Sequence, residues 1–248
     1  MSALRILHLY PEQLGVSGDG GNVVTLAERA RRAEVDVEIL PHRIGDTLPA
    51  DPDLVVIGSG PLSSLRVVHD DLTRFTSALS DWSDSGVPLV AVGGGMEILS
   101  DEIVDESGTS LEGLGFFAGR AVRGATRRAN YFSVTTTYGG ASLAVLGFED
   151  HATRFELGAS ALAFGSVVHG GGNGDGTEGI MRDASFGTQL KGPVLPLNPE
   201  LTDRVLVAAL ARTGRHYATT AAHARLDDYA RRAREVISDN LEHAFKSM

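Results

Sequence analysis

Residues 88–92 are a short apolar run, Gly93-Gly94-Gly95 follow at once, and Met96 to Ser100 have the character of a helix start. An apolar run of this length reads as a buried strand, and the glycines allow a turn too tight for side chains. A strand, a sharp turn and a helix in that order form the elbow that lifts a nucleophile into reach of substrate. Here the turn carries no side chain. The chain has no cysteine at all, so no thiol from elsewhere could serve. Thiol chemistry is excluded.

The rest of the first hundred residues set the fold class. Residues 4–9, 35–40, 54–57 and 90–92 read as strands, and 22–33 as a helix with Val23, Leu26, Ala27 and Ala30 on one face. Leu72, Phe75, Ala78, Leu79 and Trp82 keep helical spacing between the third and fourth strands. Such alternation predicts an α/β fold with a mostly parallel sheet and helices on both faces. Ligands then bind at the carboxyl ends of the strands, which puts Gly58-Ser59-Gly60 and Gly93-Gly94-Gly95 on one rim.

From 113 to about 192 the pattern shifts to short β-rich pieces, 131–137, 144–148, 161–168 and 186–190, between glycine-rich turns. These are expected as antiparallel hairpins and edge strands of the same domain. Residues 199–213 return to helix, with Leu201, Val205, Ala208 and Leu210 as core positions. A final helix over 221–245 carries Leu226, Tyr229, Ala233, Ile237, Leu241 and Phe245 as an apolar stripe. The expected organisation is one domain over 1–215 and a C-terminal helix over 216–248, packed on that domain or on a partner.

Several functions are excluded or disfavoured. A formal charge of −10 argues against non-specific nucleic-acid binding, and no apolar stretch nears the roughly 20 residues of a membrane helix. The N-terminus lacks a signal-peptide core, so the expected location is the cytoplasm. Gly18-Asp19-Gly20-Gly21 lacks dinucleotide-binding spacing, no Walker lysine is present, and the histidines show no zinc-ligand spacing. No G-x-S-x-G supports a serine triad. Asp19 and Asn22 are expected to cap the first helix, His151 to be a structural polar residue in a turn, and the carboxylates of Asp101, Glu102, Asp105 and Glu106 to lie in a solvated loop.

Read together, six segments carry a specific resemblance. They are Gly18-Asp19-Gly20-Gly21-Asn22, Gly58-Ser59-Gly60, Gly93-Gly94-Gly95, Leu111-Glu112-Gly113-Leu114-Gly115, Gly147-Phe148-Glu149-Asp150-His151, and the run from Gly187 through Lys191-Gly192-Pro193 to Pro199. In this order and spacing the chain resembles the CobB/CobQ-type class I glutamine amidotransferases, and within them the GatD branch, over roughly residues 4–210. The resemblance implies a flavodoxin-like fold, no cofactor, glutamine or a related small molecule as ligand, and a MurT-like Mur ligase as partner. In that branch the subunit supplies ammonia from glutamine for amidation of the D-glutamate of lipid II in peptidoglycan.

By motif match the family's nucleophile position is Gly93 and its base position is Lys191. Both are substituted. Glycine has no side chain, and an ammonium holds its proton rather than accepting one. The resemblance therefore implies a subunit unable to hydrolyse glutamine by itself. A scaffold or ligand-sensing role outside cell-wall amidation is the alternative. The same match gives Ser59 and Gly60 as the turn that helps form the oxyanion site, where a tight turn alone would equally call for glycine. It gives Gly94 as a further substrate-binding position and Arg128 as a holder of the substrate carboxylate, a task suited to a guanidinium. For Arg128 the competing reading is a solvated arginine among Arg120, Arg123 and Arg127.

Overall fold

A computed structural model describes residues 2–242. The first half runs β1 (Leu4–Leu9), α1 (Gly20–Arg32), β2 (Val37–His42), β3 (Leu54–Ile57), α2 (Leu62–Thr73), α3 (Thr76–Asp84), β4 (Leu89–Val92) and α4 (Gly94–Ile98). The middle is β-rich, with β5 (Glu102–Val104), β6 (Ser110–Glu112), β7 (Gly119–Thr136), β8 (Leu143–Leu157), β9 (Gly165–His169), β10 (Thr177–Glu178), β11 (Ile180–Arg182) and β12 (Ser185–Thr188). Helices α5 (Val194–Leu197), α6 (Pro199–Ala211) and α7 (Ala224–Asp239) follow.

Two sheets result. The first has the order β11-β12-β4-β3-β1-β2 and is parallel except for β11. Its central strands β3 and β4 are apolar and buried throughout because both faces are covered, whereas the edge strand β2 carries Glu38 and is partly exposed. Side chains alternate between two cores, as the pleat requires. Leu4, Ile6, Leu54, Val56, Val90 and Val92 pack with α1, α5 and α6. Leu7, Leu9, Val55, Ile57, Leu89 and Ala91 pack with α2, α3 and α4.

The second sheet is built on β7, which pairs antiparallel with β8 along most of its length and, on its other edge, with β5 and then β9. A register shift between Arg123 and Arg128 bends this ribbon. The two sheets are clipped together where Phe148 of β8 and Lys191, just beyond β12, exchange backbone hydrogen bonds of 3.2 and 2.8 Å.

Several expectations need correction. The helix expected through Leu72–Trp82 breaks at Arg74 and Phe75, where the chain turns Phe75 edge-on to His42 with ring centres 4.9 Å apart. The 186–190 piece is no edge strand, for β12 lies between β11 and β4. Of 161–168 only the last residues are strand. Glu102 belongs to β5 rather than a loop, and Asp101 accepts the Gly119 N–H at 2.8 Å. Neither Asp19 nor Asn22 caps α1. Asp19 accepts the backbone N–H of Ser59 at 3.0 Å, and Asn22 that of Leu195 at 2.9 Å. Long-range partners outcompete the local cap.

The C-terminal segment is a 3-10 turn over Ala221–His223 followed by α7, against the single helix expected from 221. Its stripe faces α1 and α5 across a groove lined by Leu226, Ala233 and Ile237, yet Ala230 is its one buried residue. Phe245 lies outside the described residues. The segment is anchored on its own domain through Arg29, 2% exposed, whose guanidinium binds Asp203 at 2.7 and 2.8 Å and Asp227 of α7 at 2.5 Å. Among the described residues, no helix is long and apolar enough to cross a membrane.

Candidate functional site

Three carboxyl ends of parallel strands meet at one point. Residue Ile57 pairs with Ala91, and Val92 with Thr188, so the segments after β3, β4 and β12 leave the sheet side by side. They carry Ser59-Gly60, Gly93-Gly94 and Lys191 respectively. The turn at Gly93 has φ +51 and ψ −115, a conformation that side-chain-bearing residues rarely adopt and that suits a nucleophile elbow. Gly95 is needed for packing, since a Cβ there would lie 2.6 Å from the carbonyl oxygen of Gly58.

The empty elbow is filled from two sides. A Cβ on Gly93 would stand 2.5 Å from Ser59 Oγ and 2.7 Å from Lys191 Cε, far inside van der Waals contact. The lysine stem and the serine hydroxyl thus occupy the space a nucleophile would need. Ser59 Oγ also accepts the Gly94 N–H at 3.2 Å, so this amide already has an acceptor. Lys191 is buried, and its ammonium donates to the carbonyl oxygen of Asp150 at 2.7 Å. Burial pulls its pKa below the usual lysine range, against the opposing pull of Glu97, Asp150 and Asp19.

These residues line a cavity of about 510 Å³ with Val16, Pro61, Arg123, Arg127, Phe148 and Thr153. Of the sequence-identified positions, Ser59, Gly60, Gly94 and Lys191 line it, and Gly93 does not, being crowded by the side chains of Ser59 and Lys191. Arg128 does not. It is exposed and lines a separate depression with Ala125, Arg154 and Gly174. The arginines in the cavity are Arg123 and Arg127.

Glu97, on α4, and Arg123, on β7, form an ion pair that sequence reasoning missed. Glu97 is fully buried and also accepts from Thr153 Oγ1 at 2.7 Å. Burial pushes its pKa up, but Arg123 and the Thr153 hydroxyl more than offset this and hold it below the usual range. A depressed carboxylate contributes stability above its unfolded pKa and loses it as pH falls through the folded value. Wild-type protein should therefore lose stability more steeply than Glu97→Gln below about pH 4.5. Urea midpoints across pH 3–6 check this, and parallel profiles would refute it.

His151 lies in β8 rather than in a turn, which corrects the expectation. Its ring nitrogens pair with the Thr153 carbonyl at 2.9 Å and with Glu149 at 3.3 Å. Glu149 in turn accepts the backbone N–H groups of Gly171 and Gly172. The glycine-rich turn therefore closes on one of the chain's own carboxylates. Asp19 sits behind the rim, and burial raises its pKa. Among the described residues, no cluster of three or more His, Asp or Glu is arranged to hold a metal ion.

A strand–glycine–helix elbow at the carboxyl rim, faced by the segment after the next parallel strand, is the layout of a nucleophile-elbow α/β domain. The chain belongs to the CobB/CobQ-like glutamine amidotransferase domain family, which it matches over residues 5–198. It is 28% identical over 216 residues to the lipid II isoglutaminyl synthase (glutamine-hydrolysing) subunit GatD of Staphylococcus aureus, covering 86% of this chain and 87% of that one. Against the corresponding Streptococcus pneumoniae subunit it is 28% identical over 212 residues, covering 84% and 81%. Among solved structures, PurLQS from Thermotoga maritima matches with TM-score 0.60 at 11% identity, covering 86% of this chain and all of that one. A glutamine amidotransferase from the same organism matches with TM-score 0.53 at 14% identity, covering 96% and 94%. These two likenesses show the fold.

Proposed function

We propose that this chain is a GatD-like subunit that supports a MurT-like ligase in the amidation of lipid II D-glutamate and does not itself hydrolyse glutamine. The observation that carries the second half is the convergence of Ser59 and Lys191 on the bare Gly93. Attack on a carboxamide requires an activated nucleophile, and the chain contains no thiol. The nearest hydroxyl, Ser59, makes no hydrogen bond with Lys191 among the described residues, so it lacks a base. The likeness to two GatD subunits over more than four-fifths of the chain supports the first half.

The pocket mouth and the loosely covered face of α7 are the surfaces offered to a ligase. The retained cavity favours a second reading, in which the chain senses a small ligand outside cell-wall amidation. Purified protein should release no ammonia from glutamine above a heat-killed control. Co-expressed with a MurT-like ligase from the same source, it should elute as one complex on size exclusion. Ammonia release insensitive to thiol reagents would overturn the catalytic half, and independent elution at micromolar concentration the partner half.

A further inference from the structure

The charges lining the cavity are paired unevenly. Glu97 is paired with Arg123, and Asp150 with Arg127 through a fork of 2.6 and 2.8 Å. Lys191, only 8% exposed, forms no ion pair among the described residues. Its ammonium has three N–H donors, and one goes to the Asp150 carbonyl. Two are left for the cavity. Ser59 Oγ accepts from Gly94, which leaves its own proton to donate. Ser59 Oγ and Lys191 Cε flank the same point above Gly93, within 2.7 Å of it. The serine hydroxyl and the end of the lysine side chain therefore stand together beside that point and line the same cavity.

Glu97, Asp150 and Asp19 act on this ammonium without any direct ion pair. Burying a cation in that state is costly, and a ligand anion at hydrogen-bond distance offsets the cost. A carboxylate offers acceptors alone, whereas a carboxamide also carries an NH₂ group that meets a donor with a donor. Charge-assisted hydrogen bonds are roughly twice as strong as neutral ones. Asp150 adds a second element of recognition. Each of its oxygens takes one N–H from Arg127 and keeps a further lone pair for a ligand ammonium.

We propose that the cavity binds an acidic amino acid by its side-chain carboxylate, with Lys191 Nζ and Ser59 Oγ as donors and Asp150 facing the ligand's ammonium. This rests on the reading of the chain as a non-hydrolysing subunit. It replaces a carboxamide site with a carboxylate site.

Isothermal titration of the full chain with L-glutamate and with L-glutamine at pH 7 tests it. Glutamate should bind at least tenfold more tightly than glutamine. Lys191→Met, which keeps the stem over Gly93, should weaken glutamate at least tenfold, and Ser59→Ala should weaken it several-fold while leaving the lysine in place. Circular dichroism checks that each variant is folded. If Lys191→Met does not fold, the Ser59→Ala result and the glutamate-to-glutamine ratio decide. Equal binding of the two amino acids, binding of neither, or unchanged glutamate affinity in a folded Lys191→Met or in Ser59→Ala would overturn the proposal. Ligase association is scored separately. A complex that forms without glutamate binding defeats this proposal alone, and glutamate binding without a complex defeats the partner reading alone.

Discussion

Restoring a cysteine at position 93 should leave the protein inactive, and pairing it with a histidine at 191 should produce far more activity than either change alone. In Gly93→Cys the new Cβ meets Lys191 Cε at 2.7 Å and Ser59 Oγ at 2.5 Å, so the thiol enters an occupied site. Lysine also offers no base. It could favour the thiolate electrostatically, which would support slow labelling by a reactive glutamine analogue but not turnover. Lys191→His shortens the side chain that crowds the elbow and supplies an imidazole. General acid–base help is typically worth about 10²–10⁴-fold, and groups that act as a unit are strongly non-additive. The double variant should exceed the product of the single effects by at least about 10². Ammonia release from glutamine in all three variants measures it. Full activity in Gly93→Cys alone would show that Lys191 is no obstacle.

The second large effect concerns the anchor of the C-terminal segment. Arg29 is 2% exposed and holds Asp203 and Asp227 at once, while Tyr217 donates to Asp203 at 2.5 Å and His223 meets the Arg29 carbonyl at 3.0 Å. Removing one partner of a buried ion pair costs roughly 3–5 kcal/mol. Arg29→Met should fall near the lower end, about 3 kcal/mol, because Asp203 and Asp227 keep some contact with water. The loss should appear in urea unfolding, with faster proteolysis between α6 and α7. Asp227→Asn should cost less, since that carboxylate is 43% exposed. A change below about 1 kcal/mol for Arg29→Met would mean the pair is worth no more than a surface bridge.

What the sequence made legible follows from the range of the forces involved. The strands β1, β3 and β4 and the helices α1 and α6 were readable because each buries a continuous run or a regular stripe, and that pattern is local. Strand β7 was readable only in its last third. Its stretch from Arg120 to Asn130 is polar and mostly exposed, and is held by backbone pairing with β8, which leaves no apolar signature. On the proposed reading, Gly93 and Lys191 were legible as substituted positions through ordered motifs. Their physical contact was not, because it depends on the register of β4 against β12. The Glu97–Arg123 pair joins a helix under one sheet to a strand of the other, 26 residues apart. Asp19 misled local reasoning for the same cause, since its carboxylate serves Ser59, 40 residues away.

On the proposed reading of Gly93 and Lys191 as a lost Cys–His pair, the shared volume above Gly93 also imposes an order on history. From a Cys–His pair, Gly93 can come first at little steric cost, because it only vacates space. Lysine at 191 coming first would drive its stem against the cysteine Cβ. Once both changes are present, restoring the cysteine alone meets the lysine, and restoring the histidine alone returns no nucleophile. Neither single reversion recovers anything that selection could favour. The elbow is thus a one-way gate, and a lineage that has passed through it is free to adapt the pocket to another use.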